Sequence, residues 1–392
     1  MIWREPHPVK KICTVIGSRA NYSSIKSAMQ AIKEHPQLAL QLVCVASALL
    51  DRYGQVVNLI ERDGFRIDER LHILVEGETP GTMVKSTGMG LIELSSAFDR
   101  LRPDVVITVG DRFETMATTL AAAYMNIPVA HTMGGEVSGT IDESIRHAVT
   151  KFAHIHFPAS REAAERIVKL GERPDTVFRV GCPRIDLVAE ILSRDGNSMD
   201  ERIFDLGVGA PLDLTKPFVI VSQHPVTTEY GEGEKQITAT LAAVRKCRLA
   251  AIVLWPNADA GSEDIARGIR KWRERGLAED MHFFKNLPTD TYIRLMSRTA
   301  CLLGNSSSGI REGAFIGTPV VNIGTRQTAR ERGGNVLDVP HDEGVIADAV
   351  MAQKEQGRRR TEDIYGDGTA GRKIADILAN LGPVPIQKRI TY

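Results

Sequence analysis

Short apolar runs rich in Val and Ile alternate with longer amphipathic stretches along the whole chain. This alternation is typical of a parallel β-sheet whose two faces are covered by helices. The pattern predicts about six strands in each half of the chain. The predicted strands are residues 11–17, 40–47, 104–110, 128–134, 153–160 and 178–183, then 218–225, 249–257, 281–286, 301–306, 319–324 and 335–340.

The length of 392 residues favours two domains, since one hydrophobic core seldom serves so long a chain. Residues 193–217 have no continuous apolar pattern and contain several Gly and Pro residues, so a boundary is expected there. Two doubly wound domains that face each other leave a cleft, and in such sheets ligands bind beyond the carboxyl ends of the strands. Polar residues directly after the predicted strands are therefore the candidates for a functional site.

The composition limits the partners of the protein. Lys and Arg total 49, as do Asp and Glu, so no net positive charge attracts nucleic acid or an anionic membrane. No run approaches the ~20 apolar residues of a membrane-spanning helix, and Cys13–Ile16 is too short for a signal-peptide core. The five cysteines are scattered, mostly inside apolar runs, and are interpreted as reduced thiols. We expect a cytoplasmic protein.

Three acidic side chains follow predicted strands in the first half of the chain. Taken alone, Asp111 is more simply explained as a helix N-cap than as a general base. Further on, Thr140 and Glu143 match a capping box, which leaves Glu136 and Asp142 without an evident structural role. Asp111, Glu136 and Asp142 at adjacent strand ends form the set that general acid/base catalysis requires.

Cationic side chains accompany these carboxylates. Arg19 follows the first predicted strand and is either an anion clamp or a solvated residue of an ordinary turn. Arg112 belongs to the same turn as the first carboxylate, and Arg146 and His147 lie one helical turn after Asp142. We predict that these cationic residues contact the substrate.

In the second half of the chain, serine hydroxyls and other polar side chains follow the predicted strands. Ser306, Ser307 and Ser308 open a predicted helix in GNSSSGIREGAF, where hydroxyls and free backbone N–H groups form a cradle for a diphosphate. Glu312, one turn later, suits the two hydroxyls of a ribose. Plain capped helices and turns are the alternatives. His224 directly follows a predicted strand and is a further catalytic candidate, and Asn257, Asp259 and Arg326 are candidates for substrate contacts.

Several common motifs are missing from the sequence. It contains no Gly-x-Gly-x-x-Gly, P-loop or His-Glu-x-x-His motif, which argues against dinucleotide, ATP and metalloprotease sites. His154 and His156 share one face of a predicted strand but have no third ligand near them in sequence. We predict neither a metal nor a cofactor.

Six motifs, taken together and in order, resemble the hydrolysing UDP-N-acetylglucosamine 2-epimerases, and the likeness spans nearly the whole chain. The motifs are GDRFE, GGEVSGTIDESIRHAVTKFAH, QHPVTT, NADAGS, GNSSSGIREGAF with the following GTPVVN and GTRQ, and IYGDG. The resemblance implies two Rossmann-like domains in a glycosyltransferase-B-like arrangement with a central cleft. They would comprise residues 1–190 and the UDP-binding residues 191–369, with a helix at about 370–392 packed back on the first domain.

The resemblance also implies a reaction and a homodimer or homotetramer. UDP-N-acetylglucosamine and water give N-acetylmannosamine and UDP by removal of the C2 proton, elimination of UDP to a 2-acetamidoglucal, and rehydration. The implied product feeds the synthesis of sialic acid or a related surface sugar. The implied roles are acid/base for Asp111 and Asp142, phosphate or glycosidic-oxygen contact for Arg19 and His224, diphosphate binding for Ser306 and Ser307, ribose binding for Glu312 and nucleotide support for Arg326.

Two positions depart from the family pattern. Met133 stands where close relatives have a catalytic glutamate, and methionine transfers no proton. We therefore expect that Glu136 or Asp142 takes over this role, or that the chain acts on another 2-acetamido sugar. Asn21 stands where aspartate is common.

Other functions are compatible with the same residues. They are hydrolysing epimerisation of a UDP-2,4-diacetamido-trideoxy sugar, nonhydrolysing epimerisation, glycosyl transfer on the same fold, and sensing of a nucleotide sugar without turnover. The carboxylate set argues against a transferase, and the segment GGEVSGTIDESIRH favours the hydrolysing branch.

Overall fold

The chain folds into two compact units. The computed structural model describes residues 9–51, 54–76, 79–137, 141–194, 201–256 and 261–391. Unit 1 comprises residues 1–137, 141–187 and 366–392, and unit 2 comprises residues 138–140 and 188–365. No helix within the described ranges combines the length and the apolar character needed to cross a membrane.

Unit 1 is built on a six-stranded parallel sheet. Its strands are β1 Lys10–Ile16, β2 Leu38–Val45, β3 Glu69–Leu71, β4 Val105–Val109, β5 Val129–Thr132 and β6 Ile155–Phe157. Its helices are α1 Arg19–Ser23, α2 Lys26–Glu34, α3 Val56–Arg62, α4 Pro80–Leu101, α5 Phe113–Tyr124, α6 Ile141–Phe152, α7 Arg161–Lys169, α8 Pro183–Ser193, which continues into unit 2, and α14 Ala370–Asn380. The order β3-β2-β1-β4-β5-β6 is doubly wound and reverses direction between β1 and β4.

Helices cover both faces of this sheet, so its strands are apolar on both sides. Ile12 and Ile16 of β1 belong to the core cluster that includes α2 and α14. Cys13 and Val15 belong to the opposite cluster, which includes α4 and α5. Burial on both faces explains why the apolar runs in the sequence are nearly continuous.

The C-terminal helix α14 packs on α2. Ile374 and Leu378 are fully buried in the shared core. Asp186 accepts hydrogen bonds from the backbone N–H groups of Ala370 at 2.9 Å and Gly371 at 2.6 Å, and so caps the helix N-terminus. These contacts hold the end of the chain on unit 1.

Unit 2 repeats the architecture with one added edge strand. Its strands are β7 Gly207–Val208, β8 Phe218–Ser222, β9 Ala250–Leu254, β10 Met281–Phe284, β11 Cys301–Gly304, β12 Val320–Ile323 and β13 Val336–Val339. Its other helices are α9 Gly233–Cys247, α10 Ser262–Glu274, α11 Thr289–Met296, α12 Ser307–Ile316 and α13 Glu343–Gln356. The order β13-β12-β11-β8-β9-β10-β7 reverses between β8 and β11, and β7 alone is antiparallel.

Eleven of the twelve predicted strands are confirmed. The prediction for residues 178–183 is wrong, because this segment forms no strand and α8 begins at Pro183. Val180 is buried in the core of unit 1, so the apolar run marks burial without sheet pairing. The pattern also missed β3 and β7, which have three and two residues and are too short for a readable alternation.

Candidate functional site

The strand order reverses between β1 and β4 in unit 1 and between β8 and β11 in unit 2. Doubly wound sheets bind ligands beyond the carboxyl ends of the strands at such a reversal. We call the residues Asp111, Glu136, Asp142, Glu143 and Arg146 of unit 1 the acidic edge. We call the residues His224, Asn305, Ser306, Ser307 and Ser308 of unit 2 the serine edge. The acidic edge follows β4 and β5, and the serine edge follows β8 and β11.

Asp111 and Arg146 form an ion pair at the end of β4. Arg146 Nη2 donates to Asp111 Oδ2, and Arg146 Nη1 donates to the carbonyl oxygen of Glu136 at 2.9 Å. The Arg146 side chain is 3% exposed, whereas that of Asp111 is 27% exposed, so a buried cation holds a carboxylate that solvent still reaches. The explanation of Asp111 as a helix N-cap is wrong, since α5 begins at Phe113 with Arg112 in the cap position.

A buried histidine, His131, contacts the elements that carry Asp111 and Arg146. Burial lowers the pKa of His131 to about 3, so its ring is neutral at physiological pH. His131 Nε2 lies 2.8 Å from the carbonyl oxygen of Gly110, which only accepts, so Nε2 carries the ring proton. His131 Nδ1 lies 3.3 Å from the hydroxyl of Thr150 in α6. His131 therefore connects the turn that carries Asp111 with the helix that carries Arg146.

The first two turns of α6 carry three charged residues of the acidic edge, Asp142, Glu143 and Arg146. Glu143 Oε1 lies 3.1 Å from His147 Nε2, and Glu143 Oε2 lies 3.6 Å from Arg146 Nη1. Asp142 is partly buried in the first turn. Thr140 lies outside the described residues, and with it the predicted capping box. The described contacts place Glu143 in the charge network with His147 and Arg146.

Met133 and Glu136 lie in the turn between β5 and α6. Met133 has a φ of 63°, which is uncommon for a residue other than glycine, and its side chain packs against the core of unit 1. Glu136 is 5% exposed, and its carbonyl holds Arg146. Position 133 thus contributes apolar packing, whereas position 136 buries a carboxylate in the same turn.

Arg19 and Asn21 belong to the turn and short helix after β1. The Arg19 side chain is exposed at the first position of α1. Asn21 accepts from the N–H of Gly17 at 3.2 Å and donates to the carbonyl of Val109 at 3.2 Å, so it joins the ends of β1 and β4. A carboxylate would only accept. The departure from aspartate at this position therefore has a structural use.

Glu114 is a buried carboxylate of this region that the sequence analysis did not single out. Arg112 Nε donates to Glu114 Oε1 at 3.0 Å, with the Arg112 side chain 48% exposed and that of Glu114 3% exposed. Glu114 is the last residue of the motif GDRFE, in the first turn of α5, where a glutamate is ordinary. Its burial depends on residues distant in sequence, so spacing alone gave no signal.

In unit 2, Asn305 joins the ends of β8 and β11. Its Oδ1 accepts from the backbone N–H of His224 at 2.8 Å, and its Nδ2 donates to the backbone carbonyl of His224 at 2.8 Å. Asn305 is fully buried, and His224 is partly exposed. The pairing fixes the backbone of His224 beside the start of α12.

The serines at the start of α12 form a connected set of hydroxyls. Ser306 is the N-cap, and its Oγ accepts from the N–H of Ser308 at 3.4 Å and lies 2.9 Å from Ser308 Oγ. Tyr292 Oη lies 2.6 Å from Ser308 Oγ, a contact that the sequence did not reveal. Ser307 is partly exposed at the first helical position. Hydroxyls at a helix N-terminus suit an anionic ligand.

The other predicted contacts of unit 2 differ in accessibility. Glu312 is 4% exposed, on the buried side of α12. Arg326 Nη1 donates to the carbonyl of Asn305 at 3.1 Å, so it lies against the serine edge. Asn257 and Asp259 lie outside the described residues.

A family model described as UDP-N-acetylglucosamine 2-epimerase matches residues 30–379. The chain belongs to this family. The match includes the acidic edge and the serine edge. It confirms the family predicted from the six motifs and the prediction that the protein is an epimerase.

Two relatives illustrate the range of substrates in the family. The chain is 32% identical to a Legionella pneumophila protein named UDP-N,N'-diacetylbacillosamine 2-epimerase (hydrolyzing), over 97% of this chain and 98% of that one. It is 28% identical to the UDP-N-acetylglucosamine 2-epimerase of Neisseria meningitidis serogroup B, over 95% and 96% of the two chains.

A crystal structure of the Neisseria meningitidis UDP-GlcNAc 2-epimerase bound to UDP-GlcNAc has the same fold. The TM-score is 0.80 at 20% identity, over 94% of this chain and 99% of that one. The predicted fold class, with two Rossmann-like domains of the glycosyltransferase-B type, is confirmed.

Proposed function

We propose that this enzyme is a hydrolysing 2-epimerase that converts UDP-N-acetylglucosamine and water to N-acetylmannosamine and UDP. The observation that carries the proposal is the ion pair of Asp111 with buried Arg146 at the end of β4. A carboxylate held by a cation on one side and reached by solvent on the other suits a base that must meet a sugar carbon. The family match and the hydrolysing relative support the same activity.

The first half of the proposed reaction is an elimination. A proton beside an acetamido-bearing carbon is very weakly acidic, so the base must be accurately placed. The base takes the C2 proton, a double bond forms between C1 and C2, and the C1–O bond to UDP breaks. We assign the acid/base roles to Asp111 and Asp142 because both belong to the acidic edge.

The second half is addition of water to the 2-acetamidoglucal. A hydroxyl group adds at C1, and a proton returns to C2 on the face opposite to the one that lost it. Two groups are therefore needed, one for each face. Met133 cannot transfer a proton, so the role of the glutamate expected at that position is assigned to Glu136. Glu136 is the carboxylate buried in the same turn.

Departure of UDP requires stabilisation of negative charge. The serine edge offers hydroxyls and the N-terminus of α12, which stabilise a diphosphate without proton transfer. We assign the phosphates to Ser306, Ser307 and Ser308, with Arg19, His224 and Arg326 as cationic or hydrogen-bonding support. Glu312 is assigned to the ribose, Arg112 to the phosphates, and Arg146 and His147 to the substrate side of the acidic edge.

The proposal is tested by a proton NMR time course with UDP-N-acetylglucosamine in deuterated water. Free N-acetylmannosamine with deuterium at C2, appearing together with UDP, is the expected result. An epimer that is still attached to UDP would show a nonhydrolysing enzyme instead. Transfer of the sugar to an added acceptor, without deuterium at C2, would show a transferase.

A UDP-2,4-diacetamido-trideoxy sugar is the second candidate substrate. The observation in its favour is the 32% identity to the Legionella pneumophila relative named for such a sugar. The same NMR experiment with this substrate separates the two candidates by the ratio of their kcat/KM values. A ratio above about 100 in favour of one sugar assigns the substrate.

The cellular setting is part of the proposal. Cys13, Cys44 and Cys301 are buried free thiols, which fits a reducing compartment such as the cytoplasm. We propose a homodimer or homotetramer, as the family resemblance implies. Light scattering on the purified protein measures the number of subunits directly.

A further inference from the structure

The side chain of Glu114 lies directly over the backbone of the turn that follows β1. A Cβ atom on Gly17 would stand 2.3 Å from Glu114 Cγ and 2.7 Å from Glu114 Oε1. No side chain fits at position 17 while Glu114 keeps this position. Glycine at the end of β1 and glutamate in the first turn of α5 therefore form one packed pair.

Burial of this carboxylate is costly unless something uses its charge. Glu114 is 3% exposed, and its Oε2 is buried with no hydrogen-bond donor within the described ranges of the chain. An apolar side chain of the same size would fill the space at lower cost. The first turn of α5 stabilises a negative charge, but any acidic residue on its exposed side would serve that purpose.

The Glu114 carboxylate forms an ion pair with Arg112. Its Oε1 accepts from Arg112 Nε at 3.0 Å, and Arg112 is half exposed in the turn that also carries Asp111. A bond at Nε fixes the plane of the guanidinium of this half-exposed side chain. The same carboxylate packs against the backbone at Gly17 and so restricts the conformation of the turn that precedes the exposed Arg19.

We propose that Glu114 is a positioning residue that fixes Arg112 and the Gly17–Arg19 turn as one anion-binding element at the ends of β1 and β4. This inference rests on the proposed function, because it takes the diphosphate of UDP as the anion. Glu114 itself does not contact the substrate. It acts by removing the freedom of Arg112 before the substrate arrives.

The test is a double-mutant cycle of Glu114→Gln and Arg112→Ala. Glutamine keeps the shape that packs over Gly17 and removes the charge. For Glu114→Gln we expect KM to rise about ten-fold and UDP to bind about ten-fold more weakly by titration calorimetry, with kcat within about three-fold. Because Glu114 acts through Arg112, the double variant should bind UDP no more weakly than Arg112→Ala alone.

A matched control is Glu263→Gln, which removes an exposed glutamate from the first turn of α10, where it pairs with Arg270. It should leave KM and UDP binding unchanged. A purely structural role for Glu114 would lower the unfolding temperature of Glu114→Gln without changing KM, and that result overturns the inference. Losses of UDP affinity that add fully in the double variant overturn it as well.

UDP titration separates this inference from the proposed reaction. If the wild-type enzyme binds UDP but releases no free sugar, and Glu114→Gln weakens UDP binding, the proposed function fails and the inference stands. If turnover is as proposed and Glu114→Gln binds UDP normally, the inference fails alone. Absence of UDP binding to the wild-type enzyme overturns both.

Discussion

The acidic edge of unit 1 follows β4 and β5, and the serine edge of unit 2 follows β8 and β11, so each edge includes the carboxyl end of a strand at which the order of its sheet reverses. In each unit an asparagine joins the ends of the two strands between which the strand order reverses. Asn21 bridges the backbone of Gly17 and Val109, and Asn305 bonds through both ends of its amide to His224. The side-chain amide is suited to this task because it both donates and accepts.

The two edges differ in the chemical groups of their other side chains. The acidic edge uses paired charges, with Asp111, Glu143 and Arg146 in one network. The serine edge uses neutral hydroxyls and a helix N-terminus. A group that moves a proton must be ionisable, whereas a group that holds a diphosphate needs only to donate. The common fold supplies the position, and a few residues after the strands supply the chemistry.

Asp111→Asn tests the acidic edge where the expected effect is largest. We expect turnover to fall by about 10³-fold, because asparagine keeps the shape but cannot take a proton. UDP affinity should change little, since Asp111 is not among the residues assigned to the phosphates. The control is Asp175→Asn, an exposed aspartate paired with Arg173. Retained turnover in Asp111→Asn would remove the central role of the acidic edge.

Glu136→Gln tests which carboxylate compensates for Met133. We expect turnover to fall by about 10²-fold, within the range of general acid/base catalysis, with unchanged thermal stability. The control is Glu165→Gln, an exposed glutamate in α7. Near-normal turnover excludes Glu136 as a proton carrier.

Acid should destabilise unit 1 through its buried histidines. Burial lowers the pKa of His131 to about 3 and also lowers the pKa values of His154 and His156. The unfolded chain takes up these protons near pH 6.5 while the native state does not, so stability is full above pH 6.5 and falls as the pH drops.

For His131 alone, the free energy of unfolding should be about 2 kcal/mol lower at pH 5 than at pH 7. Denaturant titration of wild type and His131→Phe at the two pH values tests this, because the pH dependence of the variant should be smaller than that of wild type by this amount. His72→Phe, at an exposed position, is the control. An equal pH dependence in His131→Phe and wild type contradicts the expectation.

Ser308→Ala tests the serine edge, where the expected effect is smallest. Loss of one neutral hydroxyl should weaken UDP binding by about ten-fold and leave the C2 deuterium exchange per bound substrate nearly unchanged. Tyr292→Phe removes the neighbouring hydroxyl and should have a smaller effect of the same kind. Ser297→Ala, whose hydroxyl bonds to the carbonyl of Arg294, is the control. A larger effect on turnover than on binding would give this edge a catalytic role.

Much of this arrangement was readable from the sequence because it depends on local order. The apolar runs gave eleven strands, and the rule that ligands bind after parallel strands led to Asp111, His224 and Ser306–Ser308. Residues 178–183 were misread because periodicity reports burial, and a buried loop has the same apolar pattern as a short strand.

The sequence by itself determined the two doubly wound units, the family and the residue types at the strand ends. Only the tertiary structure decided which of these residues meet. The ion pair of Asp111 with Arg146 and the packing of Glu114 on Gly17 join residues that are far apart in the chain. Hydrophobic periodicity specifies which face of a helix or strand is buried. The partner of a charged side chain depends instead on how the helices and strands pack against each other, and no local pattern in the sequence specifies which distant residues come into contact.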